Sequence, residues 1–140
     1  MVTDLAHLAI AAHDLQATLD FYRALGLREA FRLHHADGSL MLVYLHVCGD
    51  RFIEVFPGGP PPDTARRGSF MHLCLAVDDL ESTVAHLRQA GVELLAEPKV
   101  GLDHNAQAWV RDPDGNPIEL MQMAETSPQR QVARGERPTA

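Results

Sequence analysis

Two histidines and two glutamates in this chain share one spacing. His7 and His72 lie 65 residues apart, and so do Glu54 and Glu119. Two imidazoles and two carboxylates suit a divalent first-row metal, Zn, Ni, Mn, Fe or Co, by ligand type. On a six-coordinate ion, four protein ligands leave two positions open. Those positions take water or two neighbouring oxygens of a substrate. An ion held this way acts as a Lewis acid and stabilises an enediolate-like oxyanion. A carboxylate beside it can move a proton at the carbon next to a carbonyl. Glu119 and Glu54 are both candidates for that base, and the sequence does not choose between them.

The spacing belongs to a longer repeat. LAHLAIAAHDL (5–15) lies over FMHLCLAVDDL (70–80) at the same shift. Ile53-Glu54-Val55 falls on Ile118-Glu119-Leu120, Tyr44 on Trp109, and Gly26 on Gly91. No gap is needed between the first His and the Glu. The pattern predicts two copies of one module, about residues 4–58 and 69–124, in a single domain over 1–124. The Gly- and Pro-rich stretch 59–68 is the expected linker, because those residues stop regular structure. Residues 125–140 carry few large apolar side chains and are expected to form a disordered tail.

Each module reads as β-α-β-β-β, an α+β fold. A strand over 5–11 leads to Asp14, a helix N-cap candidate. Leu15, Leu19, Tyr22 and Leu25 follow at helical spacing, and Gly26 suits the helix end. In the second copy Asp78 and Glu81 suggest a capping box, and Leu80, Val84 and Leu87 form the stripe. Strands are expected over 40–47, 51–56, 106–111 and 118–123, with DPDGN (112–116) as a hairpin turn. Alternate residues of a strand share a face. Leu8, Ile10, Ile53, Val55, Leu73, Leu75, Ile118 and Leu120 then turn toward the helices. His7, Glu54, His72 and Glu119 fall on the opposite face. Mixed sheets with the helices outside can curl that face into a cup. Carboxylates and imidazoles gathered there would be costly to bury without a cation.

Composition excludes other classes. Twelve Lys and Arg against 19 Asp and Glu give a net charge of −7, which argues against nucleic acid and anionic membrane surfaces. No apolar run approaches the roughly 20 residues of a membrane helix. The first residues lack a signal-peptide pattern, so a cytoplasmic location is expected. Cys48 and Cys74 form no CxxC pair and are expected as buried thiols.

The stretches LAHLAIAAHDLQATLDFYRALGL, RFIEVF, FMHLCLAVDDLESTVAHLRQAGV and DPDGNPIELMQ together resemble the vicinal oxygen chelate superfamily. That superfamily joins glyoxalase I, bleomycin-resistance proteins and extradiol dioxygenases. The resemblance implies paired βαβββ modules and metal ligands at His7, Glu54, His72 and Glu119. Its His-Glu-His-Glu order is similar to bacterial glyoxalase I, a lactoylglutathione lyase with Ni or Zn. This similarity also implies a homodimer whose sites are shared between chains. Bacterial glyoxalase I carries an Arg four residues after its first ligand His and an Asn four residues after its first ligand Glu, both gripping glutathione. Here those positions hold Ala11 and Gly58.

The expected function is therefore a metal-dependent lyase or isomerase acting on a small carbonyl substrate. A non-haem Fe(II) dioxygenase using His7, His72 and Glu119 is one alternative. A metal-free drug-binding protein is another, since the acidic charge suits a cationic drug. The segment 99–109 is the expected substrate selector, with Trp109, Gln107, Asn105 and Asp103 as contacts.

Overall fold

The computed structural model describes residues 1–65 and 69–138. It divides into two compact units. The first comprises Met1–Ala65 together with Asp112–Gly115, and the second comprises the rest.

In the first unit β1 (His7–Ala12) is followed by α1 (Leu15–Ala24), β2 (Arg28–His34), β3 (Leu40–Cys48) and β4 (Arg51–Pro57). The strands form one sheet in the order β1-β4-β3-β2, with β1 parallel to β4 and the other pairs antiparallel. The second unit repeats the plan with β5 (Leu73–Ala76), α2 (Leu80–Gln89), β6 (Leu94–Val100), β7 (Ala106–Arg111) and β8 (Pro117–Gln122). Its sheet order is β5-β8-β7-β6, again with only the first pair parallel. The fold is thus α+β, two tandem βαβββ modules with mixed sheets. No helix among the described residues is long and apolar enough to cross a membrane.

Local chemistry explains the helices. Asp14 caps α1 by accepting the Ala17 N–H at 3.0 Å. Gly26 ends it at φ +86°, a left-handed backbone that penalises a side chain. In α2 the cap is Asp79, which accepts the Ser82 N–H at 2.7 Å. The expected capping box on Asp78 is therefore one residue out of place. Asp79, which the repeat pairs with Asp14, has the extended backbone a cap needs.

Strand parity places the cores. Val43, Leu45, Ile53 and Val55 are buried in the first unit, with Leu19, Phe21 and Tyr22 of α1. Val110, Ile118 and Leu120 are buried in the second, with Leu80, Val84 and Leu87 of α2. Such alternation defines which strand face remains for chemistry.

The DPDGN segment does more than turn the chain. Asp114 accepts the His13 N–H and the Thr18 hydroxyl, each at 2.6 Å. Asp112 accepts the Tyr22 hydroxyl at 3.1 Å and the Asp114 N–H at 3.0 Å. Burial, followed by the Asp112 charge, pushes the Tyr22 pKa well above its ordinary value. These two carboxylates thus fasten the start and the middle of α1.

Two expectations need correction. Residues 128–133 of the expected disordered tail form a short helix, α3 (Pro128–Ala133). Ser127 caps it and is fully buried, and Pro128 occupies the first turn, where its missing N–H is harmless. Cys48 and Cys74 are free thiols, as a reduced chain would have, but both are exposed rather than buried. Within the expected linker, residues 59–65 carry no helix or strand, and 66–68 lie outside the described residues.

Candidate metal centre

The first half-site grows from the parallel pairing of β1 with β4. Ala9 stands opposite Glu54, and its small side chain leaves room beside the carboxylate. His7 lies two residues away on the same strand face. Its Nε2 is 3.6 Å from Glu54 Oε2. Tyr44, directly across from Glu54 on β3, donates its hydroxyl proton to Glu54 Oε1.

The second half-site repeats this on β5 and β8. Cys74 stands opposite Glu119, and His72 immediately precedes β5. The His72 Nε2 lies 3.2 Å from Glu119 Oε2. Trp109 is directly across from Glu119 on β7. Its ring meets the His72 ring edge-on, with centroids 4.7 Å apart at 74°.

Both glutamates are buried, with relative exposures of 8% for Glu54 and 6% for Glu119. A buried carboxylate without a cation is expensive. The histidines remain more open than their partners, with side-chain exposures of 48% for His7 and 34% for His72. Each pair therefore presents one sheltered anionic oxygen and one accessible imidazole nitrogen. Ligand atoms at about 2.1 Å on adjacent positions of one ion stand roughly 3.0 to 3.4 Å apart, depending on geometry. The His72–Glu119 separation of 3.2 Å falls within that range, and the His7–Glu54 separation of 3.6 Å lies slightly beyond it. Each unit by itself offers two donors, and no group of three or more His, Cys, Asp or Glu gathers among the described residues.

Cys74 shares this neighbourhood. Crowding around the sulfur, then the Glu119 carboxylate beside it, pushes the thiol pKa up to about 12. The thiolate is the reactive form, so below pH 12 little of Cys74 is nucleophilic despite the residue's exposed surface. In the metal-free chain, Cys74 is expected to alkylate far more slowly at pH 8 than a free thiol in a small peptide, and to accelerate toward pH 12. Iodoacetamide labelling followed by peptide mass spectrometry measures this. Peptide-like labelling at pH 8 contradicts it.

The expected substrate contacts separate into two kinds. Trp109 and Gln107 lie on one strand face, with the Trp109 Nε1–H donating to Gln107 Oε1 at 3.0 Å. Trp109 is half-buried and close to His72, as a wall of the site would be. Asn105 is fully buried, and its amide donates to Asp103 at 2.7 Å and to Gln129 at 3.2 Å. Its oxygen accepts the Ala124 N–H at 2.9 Å, and Gln129 also donates to Asp103 at 2.8 Å. Asn105 and Asp103 thus tie the β6–β7 loop to α3. Both amide hydrogens of Asn105 are thus engaged inside the protein.

Tyr44 was missed as a site residue. Its signal was present in the sequence, because the repeat that joins Glu54 to Glu119 also joins Tyr44 to Trp109. His46, on the same strand face, hydrogen-bonds through Nε2 to the Gly49 carbonyl at 2.9 Å and closes the β3–β4 turn.

Comparison with known proteins agrees with this architecture. The model of the Glyoxalase/Bleomycin resistance protein/Dioxygenase superfamily matches residues 4–120, and the chain belongs to that superfamily. A protein of Vibrio cholerae named probable lactoylglutathione lyase is 28% identical over 124 residues, covering 83% of this chain and 88% of that protein. The crystal structure of a glyoxalase family protein from Enterococcus faecalis superposes with a TM-score of 0.69 at 26% identity, covering 85% of this chain and 97% of the other. TnmS3, an antibiotic binding protein from a Streptomyces species, gives a TM-score of 0.69 at 25% identity, covering 88% and 98%.

Proposed function

We propose that this chain is a metal-dependent lyase or isomerase of the glyoxalase I type, acting on a small carbonyl compound. The observation that carries the reading is the duplicated pair: a buried Glu with an accessible His beside it, once in each unit. His7, Glu54, His72 and Glu119 are the four ligands, as two such pairs on one ion. Nickel, zinc or cobalt, when bound, would lend Lewis acidity to a substrate oxygen and stabilise the enediolate-like charge. The protein's own residues do the rest. His7 and His72 orient the ion, one glutamate moves the proton between adjacent carbons, and Trp109 and Gln107 bound the substrate. Ala11 and Gly58 carry no charged or amide group. Glutathione therefore lacks the grip seen in bacterial glyoxalase I, and a thiol other than glutathione, or none, is the better fit. A cytoplasmic homodimer with shared sites is part of this reading.

Metal analysis of the purified protein together with an isomerase assay tests it. We expect one Ni, Zn or Co per chain. We also expect turnover of methylglyoxal that depends weakly on glutathione when other thiols are offered. Iron with oxygen uptake would favour the dioxygenase. No metal uptake would favour a binding protein of the kind the name of TnmS3 describes.

A further inference from the structure

The two half-sites repeat the His/Glu pair but differ in the residues on either side of the glutamate, Ala9 and Tyr44 in one, Cys74 and Trp109 in the other. Directly across from each glutamate stands an aromatic residue, Tyr44 opposite Glu54 and Trp109 opposite Glu119. The repeat makes these positions equivalent, yet their chemistry differs. Tyr44 donates a hydrogen bond to Glu54 Oε1, leaving Oε2 toward His7. The tyrosine ring is itself fixed. Phe31 stacks on it with centroids 4.4 Å apart at 22°, and Phe52 meets it edge-on at 5.8 Å and 83°. Trp109 has one polar hydrogen, and it goes to Gln107 at 3.0 Å. Its ring packs on His72 instead. The neighbour of Glu119 is the Cys74 thiol, a weak donor.

We propose that Tyr44 is a positioning residue that holds Glu54 as a one-oxygen metal ligand and thereby makes the two repeat-related carboxylates unequal. This inference rests on the metal reading of the site given above. A carboxylate with one oxygen held by a fixed phenol presents the other in a set direction. It is pre-organised for an ion and less free to swing away. Glu119 has no phenol beside it; its side-chain donor is the Cys74 thiol, a weaker tether. It keeps the freedom to move on and off the ion, which a proton-carrying carboxylate needs. Trp109 meets the His72 ring edge-on, a packing contact that phenylalanine can also make.

The test uses the full-length protein and cobalt(II) as probe, with Y44F and W109F compared to wild type. Y44F keeps the ring between Phe31 and Phe52 and removes only the hydroxyl. Loss of a group that orients a ligand lowers metal affinity by about 10- to 100-fold. We expect Y44F to bind cobalt roughly tenfold more weakly and to shift the visible absorption bands of the bound ion, because Glu54 changes its coordination. W109F is expected to stay near wild type in affinity. Wild-type affinity and an unchanged spectrum in Y44F overturn the inference. An equal loss in W109F also overturns it, since aromatic packing would then explain the effect. If the wild-type protein itself takes up no cobalt, the metal reading fails and the inference falls with it. Uptake by wild type with Y44F unaltered sinks the inference alone.

Discussion

Replacing Glu119 by Gln is expected to lower turnover by roughly 10²- to 10⁴-fold while the fold survives. Gln keeps the size and shape of the side chain but does not take up the substrate proton. Glu119 is buried on β8, and its Oε2 faces His72 Nε2 at 3.2 Å. In the proposed function, the substitution therefore acts on one metal donor and one base together. Glu54→Gln should also reduce activity strongly, but mainly through metal content, because Glu54 is tethered by Tyr44. Steady-state kinetics and metal analysis of both variants separate these effects. Wild-type turnover and full metal content in both variants would refute the site.

The second large effect is on stability. Asp112→Ala is expected to cost about 2–4 kcal/mol. Asp112 is 3% exposed and accepts the hydroxyl of Tyr22, which is 1% exposed. Truncation strands a buried hydroxyl and opens a small void, and it also loses the Asp114 N–H contact. In urea the midpoint should fall by about 1–2 M at a typical slope. Tyr22→Phe removes only the donor and should cost less, about 1 kcal/mol. An unchanged midpoint for Asp112→Ala would show that this carboxylate does not hold α1.

Much of the candidate site is readable because a duplicated module writes its chemistry twice. A single His or Glu on a strand says little. His7 with His72 and Glu54 with Glu119, at one ungapped shift, say much more. Strand alternation then assigns faces without any tertiary information, since the side-chain period is two. A hairpin about Asp114 sets Trp109 across from Glu119, and the observed register agrees. The least legible strands were β2 and β6. Every residue of β2 is exposed, so the short alternation of Phe31 and Leu33 in REAFRLH marks no buried face. β6 holds Pro98 within LLAEPKV, and proline in a strand argues against one unless it lies at an edge, where β6 sits.

Other features depended on partners distant in sequence. Asn105 reads as a loop polar residue near the substrate, yet its environment includes Gln129 and Ala124, which close around it only after folding. The short helix α3 was hidden for the same reason. Six residues form a marginal helix alone, and a buried Ser127 cap supports this one. DPDGN announced a turn through local backbone preference, but its grip on Thr18 and Tyr22 spans about ninety residues of chain. The sequence by itself determined the duplicated βαβββ plan and the identity of the two His/Glu pairs, because periodicity and repetition are local and additive. Only the tertiary structure decided which oxygen of Glu54 is held, which neighbour holds it, and which loop residues are structural, because hydrogen bonds are directional and their partners meet only in the folded chain.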